Sequence, residues 1–135
     1  MIQIAHVKTY PKKLPNSEPV PRTFYIGRAM PGYEESLLSN PFKIGVHGNR
    51  DEVIAMYDQL FTLMLSVRPH LIWPLLKEIA DAADQEGCVL LCWCHPEPCH
   101  GEVIKRWINA ILQYRKVKHE ANRDSTVLRR EVHAR

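Results

Sequence analysis

Long apolar runs are missing from this 135-residue chain. None approaches the roughly 18 consecutive apolar residues that a membrane-spanning helix requires, so no contact with a membrane is expected. The opening stretch, Met1 to Lys8, lacks the charged-then-apolar order of a secretion signal, and a cytosolic location is the expectation. Glycine is scarce at six residues, and neither a repeat nor a low-complexity tract is visible. Collagen-like, coiled-coil and disordered chains are thereby set aside. Charge of one sign is in small excess, +3 overall, too little to name a nucleic-acid partner by itself. Cysteine is rare as well, with four residues, Cys88, Cys92, Cys94 and Cys99, confined to one short segment. In a reducing cytosol such thiols are ligands or reactive groups rather than two disulfide bonds.

What is present suits one compact domain. Apolar residues make up 45% of the chain and charged residues 24%. A domain of this length removes roughly two thirds of its unfolded surface from water, so a core forms without disulfide or metal. We expect a single α/β domain over residues 1–114 and a basic C-terminal tail over 115–135. The tail sets seven basic residues (Arg115, Lys116, Lys118, Arg123, Arg129, Arg130, Arg135) against Glu120, Asp124 and Glu131, which leaves the body nearly neutral. It either contacts phosphates or stays a solvated, partly mobile terminus.

Ile2 to Val7 reads as a short strand, after which Pro11, Pro15, Pro19 and Pro21 block helix and central strand alike, giving an ordered loop or an insertion. Thr23 to Ile26, β-branched and aromatic, reads as a second strand ending at Gly27-Arg28. The Pro-, Gly-, Ser- and Asn-rich stretch from Ala29 to Gly48 is too long for an idle connection and is read as functional. Asn49 with Glu52 forms a capping signal, and Val53, Met56/Tyr57, Leu60, Met64 and Val67 recur at helical spacing, predicting a helix over about 50–67. Proline is favoured only in a first turn, so the next helix is placed over about 74–85, with Leu75/Leu76, Ile79 and Ala83 on its apolar face before Gly87. Cys88 to Cys92 is a short apolar run covered on both faces, the expected centre of the sheet. Val103/Ile104, Trp107/Ile108, Ile111 and Tyr114 make a third amphipathic helix. The expected fold is α/β, a small three-layer, Rossmann-like and largely parallel sheet with three helices. The strand near 23–26 then lies parallel to that at 88–92, and their carboxyl ends bring Gly27-Arg28 and the Cys/His-rich segment to one rim.

That segment, Leu91-Cys92-Trp93-Cys94-His95-Pro96-Glu97-Pro98-Cys99-His100-Gly101, is the most specific feature of the chain. Zinc takes four N or S ligands in a tetrahedron with Zn–S of ~2.3 Å, so ligands must converge on a point. Cys92 and Cys94, about 7 Å apart at a strand end, converge with modest bending, whereas Cys88 lies about 13 Å back and is excluded. Pro96 and Pro98 favour a tight return that swings Cys99 and His100 beneath the strand end. One reading is therefore zinc on Cys92, Cys94, Cys99 and His100, with His95 as substitute. A second makes Cys99 or Cys94 a thiolate nucleophile, activated by a helix N-terminus near Gly101 and by His95 or His100 as base. A third keeps Cys88 and Cys92 as small buried hydrophobes and His100 as a helix cap. Elsewhere, Arg28 is either a bidentate partner for phosphate or carboxylate or half of a surface ion pair. Asn40-Pro41-Phe42 is open to reading as a plain turn with an anchoring aromatic. Tyr25, Trp93 and Trp107 suit the core, and Glu102 favours the dipole of the third helix.

Tyr25-Ile26-Gly27-Arg28, Ser39-Asn40-Pro41-Phe42, Leu91-Cys92-Trp93-Cys94, Pro96 and Cys99-His100-Gly101-Glu102 together resemble the domain of unknown function 4326 family of bacteria and bacteriophages, over about residues 23–114. The opening strand, the proline stretch and the tail fall outside the resemblance. A fainter likeness links the chain to the domain of unknown function 488 family. The family pattern falls on Arg28, Asn40, Pro41, Cys92, Cys94, Cys99 and His100; His95 and Glu102 depart from it. The resemblance implies a fold and a site but no reaction, and a phage context suggests nucleotides or nucleic acid as ligands.

The leading expectation is a small enzyme acting on a nucleotide-like or phosphorylated ligand, held by Arg28, Asn40 and the helix N-terminus at Gly101. The catalytic candidates are Cys99, His100, Arg28 and Asn40. With four protein ligands, zinc would be structural. The alternatives are a zinc-stabilised module gripping nucleic acid through residues 115–135, and a phage or host protein-interaction factor.

Overall fold

The computed structural model describes residues 1–11 and 21–133, with side chains as far as Asp124. Its elements run β1 (Ile2–His6), β2 (Arg22–Tyr25), α1 (Arg50–Val67), α2 (Pro69–Gln85), β3 (Cys88–Cys92) and α3 (Gly101–His133). The three strands form one parallel sheet in the order β1-β3-β2, a mixed α/β fold with three helices. The last strand in sequence is thus the middle one, as its apolar run predicts. Pro15 and Pro19, read above as a loop or insertion, lie outside the described residues.

Strand side chains alternate between faces, and the register pairs even-numbered residues: Ile2 and Arg22 with Cys88, Ile4 and Phe24 with Leu90. Ile2, Ile4, Ile26, Cys88, Leu90 and Cys92 therefore share a face, and they join one buried cluster with residues of α1, α2 and α3. A three-layer sheet would have helices on both faces; the cluster unites all three helices with this one.

Helix α1 starts where the capping signal predicts: Asn49 accepts from Glu52 N, and the Glu52 carboxylate accepts from Asn49 N. Its buried residues are Val53, Tyr57, Phe61 and Leu65. The face is turned from the expected Leu60, Met64 and Val67, because Phe61 offers more area to bury than Leu60. Helix α2 begins five residues before the expected 74, with Pro69 in its first turn and Pro74 inside it. An interior proline costs about 3 kcal/mol, and burying an isoleucine returns about 2 kcal/mol. Ile72, only 1% exposed, anchors the turn ahead of Pro74 and offsets most of that cost.

Helix α3 is longer than expected. Val103, Ile104 and Ile108 are buried, yet the helix continues through the stretch read as a tail to His133. Residues 116–124 are exposed. The side chains of Arg129, Arg130, Glu131 and Arg135 lie outside the described residues. No described helix is long and apolar enough to cross a membrane.

Candidate functional site

Just beyond the carboxyl ends of β2 and β3 lies a cavity of about 500 Å³. Gly27 and Arg28 follow β2 into its wall, Trp93 and Cys94 follow β3, and the 40–46 loop faces the first turns of α1 across it. Cys99 and His100 close it from the side of α3. The rim predicted from the strand order is therefore where the cavity sits.

Arg28 and Asn40 build this rim from within. Arg28 donates from Nε to the Asn40 carbonyl at 2.8 Å and from Nη2 to the Phe42 carbonyl at 2.9 Å. Asn40, buried, donates from Nδ2 to the Val53 carbonyl and accepts from Phe42 N at 3.0 Å, so one side chain ties the turn to α1. Tyr57 donates to the Leu38 carbonyl at 2.7 Å. Burial, with Cys99 adding to it, pushes that phenol far up, so it remains a neutral donor. Arg28 is thus neither half of an ion pair nor unengaged; two of its donors brace a loop.

Glycine at 27 leaves room for the Tyr25 side chain, which a larger residue would displace. Tyr25 folds back so that its hydroxyl donates to the Arg28 carbonyl at 2.5 Å and accepts from Trp93 Nε1 at 2.7 Å. A Cβ on Gly27 would stand 2.4 Å from that hydroxyl. Tyr33 stacks on Tyr25, with ring centroids 4.7 Å apart, and meets Trp93 edge to face, so Tyr25 and Trp93, read above as core residues, form a wall beside the rim, while Trp107 packs against the core.

The cysteine segment converges in part. Cys92 and Cys99 stand at opposite ends of the 93–98 loop, and both are buried. Cys92 Sγ accepts from His95 N at 3.4 Å, and Cys99 Sγ from Gly101 N at 3.3 Å. The neighbouring Cys99 thiol and the backbone amides of His95 and Cys94 hold Cys92 down to about 6 against the opposing effect of burial. Cys99 is pushed up by Cys92 and by burial. Cys94 is half-buried on the cavity wall.

His100 does not turn toward the thiols. Its Nε2 lies 2.6 Å from the Ile26 carbonyl, which only accepts, so Nε2 carries the proton. Its ring meets Tyr57 edge to face at 5.0 Å. Burial lowers the imidazole pKa, the Ile26 carbonyl opposes this, and Arg28 adds to the lowering. Among the described residues nothing bonds Nδ1, and no buried side-chain nitrogen or oxygen lacks a partner. Nδ1 is therefore reached by solvent, from the cavity that His100 lines.

Two expectations change as a result. Tetrahedral zinc needs Cys92, Cys94, Cys99 and His100 aimed at one point. Among the described residues no three His, Cys, Asp or Glu side chains are grouped to hold a metal ion. The residues as placed do not fit that ion. The anion expected at the start of α3 also meets no open donor. Gly101 N bonds Cys99 Sγ, Glu102 N bonds the Cys99 carbonyl, and Val103 N bonds the His100 carbonyl. Gly101 itself is packed shut, since a Cβ there would meet Ile26, Cys99 and Ile4 at 3.1–3.3 Å.

Sequence reasoning misses Lys43 and Arg50, the other two cations of the lining. Arg50 donates to the Pro98 carbonyl at 2.9 Å, joining the start of α1 to the cysteine loop. Its place at the first helical position was visible, but no local signal relates it to a loop 48 residues away.

The sequence model of a family described as "Domain of unknown function (DUF4326)" matches residues 11–110. The match begins earlier than the resemblance noted above and takes in the proline stretch. No curated protein and no solved structure matches the chain. The family match spans β2, β3, α1, α2, the cysteine loop and the whole cavity wall but not β1, and the chain belongs to the domain of unknown function 4326 family.

Proposed function

We propose that this chain binds a phosphorylated, nucleotide-like ligand in the cavity at the strand ends and acts on it there. The observation that carries the reading is the charge of the wall: Arg28, Lys43 and Arg50 line it, and no carboxylate does. The Lys43 side chain has no partner among the described residues and stands exposed at the mouth, the natural seat for phosphate. Phe42 and Trp93 offer flat apolar surface for a base. A volume of about 500 Å³ falls within the range of small-ligand sites. The sheet is Rossmann-like in this reading in one respect, a ligand site outside the carboxyl ends of parallel strands. The group fit to act on the ligand is His100, neutral at pH 7 with Nδ1 open to the cavity and so able to accept a proton.

Calorimetric titration with a panel of nucleoside 5′-monophosphates and the matching nucleosides tests this. Nucleotides should bind at least about tenfold more tightly than nucleosides, 1.4 kcal/mol in binding terms, and Lys43→Ala should remove most of that difference. Equal affinity for both, or binding of neither, overturns the reading.

A second reading draws on the length of α3, whose exposed Lys116, Lys118 and Arg123 stand on a helix that outruns the body. Such a helix suits nucleic-acid phosphates. Affinity for a duplex should then fall steeply with salt and vanish on removal of residues 118–135; unchanged affinity rejects it.

A further inference from the structure

The cavity wall holds more positive charge than a single phosphate needs. Arg28, Lys43 and Arg50 each contribute one charge, no carboxylate lines the wall, and the ion pairs among the described residues use Arg22, Arg106 and Arg115 instead. A phosphomonoester carries about −1.5 to −2 at pH 7, and a second phosphoryl group takes this to about −3. Wall and ligand therefore balance at two linked phosphates.

The cations are also spaced for two. Lys43 belongs to the 40–46 loop, which faces Arg50 at the start of α1 across the cavity. Arg28 joins the Lys43 side, because its Nε and Nη2 bond the carbonyls of Asn40 and Phe42. A guanidinium has five N–H donors, and these two bonds occupy one edge, so Nη1 of Arg28 keeps both of its own. Arg50 gives Nη1 to the Pro98 carbonyl, which leaves Nε and Nη2 without a partner among the described residues. Each arginine is thus fixed to the backbone along one side and open along another. An anion binding there has little side-chain freedom to freeze.

We infer that the ligand of this cavity carries a pyrophosphate group, one phosphate held by Lys43 and Arg28 and the next by Arg50. The inference rests on the nucleotide reading above and narrows its substrate class. Two sources share this chemistry: nucleoside diphosphates, and nucleotides whose pyrophosphate is esterified at both ends. A lone monophosphate would engage one wall and leave the other charged and unmatched.

Calorimetric titration of the full chain at about 0.15 M salt, where stray surface attraction is screened, compares inorganic phosphate with inorganic pyrophosphate. The same comparison is made between adenosine 5′-monophosphate and the α,β-methylene analogue of the diphosphate, which resists cleavage, and a diadenosine diphosphate represents the doubly esterified source. Pyrophosphate and at least one of the two diphosphates should bind about tenfold or more tightly than their monophosphate counterparts, and whichever binds tighter names the source. Arg50→Gln should remove most of that gain, whereas Lys77→Gln, the same loss of charge on exposed α2, should leave it within about twofold. Should Arg50→Gln fail to fold, the ligand comparison on the unaltered chain decides alone. A second phosphate that adds nothing overturns the inference, and so does a gain that survives Arg50→Gln. In either case the nucleotide reading stands if monophosphates still bind more tightly than nucleosides; if no phosphate compound binds, both fall.

Discussion

At the scale of single residues, the rim depends on side chains whose polar atoms are used within the protein. Asn40→Ala would remove the bond to the Val53 carbonyl and leave the part-buried Phe42 N–H without its acceptor. An unmet buried polar group costs about 1–3 kcal/mol, so a loss of about 2 kcal/mol in urea unfolding is expected, with the 40–46 loop loosened. His100 sets a pH dependence. Its folded pKa lies below the ordinary 6.5, so the unfolded chain binds a proton that the folded one refuses. Stability should be complete above about pH 6.5 and should fall as pH drops below it. Cys92, also held low, acts in the same direction over a higher window, its contribution fading as pH falls from the ordinary thiol range toward about 6. Comparing urea midpoints at pH 7.5 and 5.5 for the unaltered chain and His100→Gln isolates the imidazole, and an equal fall in both rejects its role. The cysteines, Arg28, Asn40 and His100 were visible from sequence as a set. Their roles were not, because the partners of Arg28 and His100 are backbone carbonyls, which any residue supplies.

At the scale of elements, periodicity and caps located α1 and β3 to the residue, whereas α2 and α3 were each drawn too short. Proline accounts for the first error: tertiary burial of Ile72 outweighs the local penalty of Pro74, a balance that no local rule contains. Pro74 is exposed, so Pro74→Ala forfeits no packing and restores a donor to the His70 carbonyl. Part of the gain is returned because the unfolded chain becomes more flexible. A net stabilisation of about 1 kcal/mol is expected, read as a rise in thermal midpoint; a fall would mean that the proline ring packs against something. The second error has another cause. Past Arg115, which pairs with Asp81 at 2.9 Å, residues 116–124 of α3 are all exposed, and periodicity cannot register a stretch without a buried face.

At the scale of the whole molecule, that same exposure makes the end of α3 dispensable to the body. A chain ending at Val117 keeps the Arg115–Asp81 pair and, among the described side chains, every buried residue of α3. Its unfolding free energy should stay within about 0.5 kcal/mol of the full chain's, the range for surface changes, and nucleotide affinity should be unaltered. A larger loss would place part of the core beyond residue 117. The rim itself was legible at this scale, because parallel pairing and the rule for strand carboxyl ends together bring distant segments to one place. The order of the strands has a temporal side too. Strands β1 and β2 pair only with β3, which is made last. During synthesis neither has a hydrogen-bonding neighbour until residues 88–92 clear the ribosome, so the first two thirds of the nascent polypeptide must wait, edges open, for the segment that joins them.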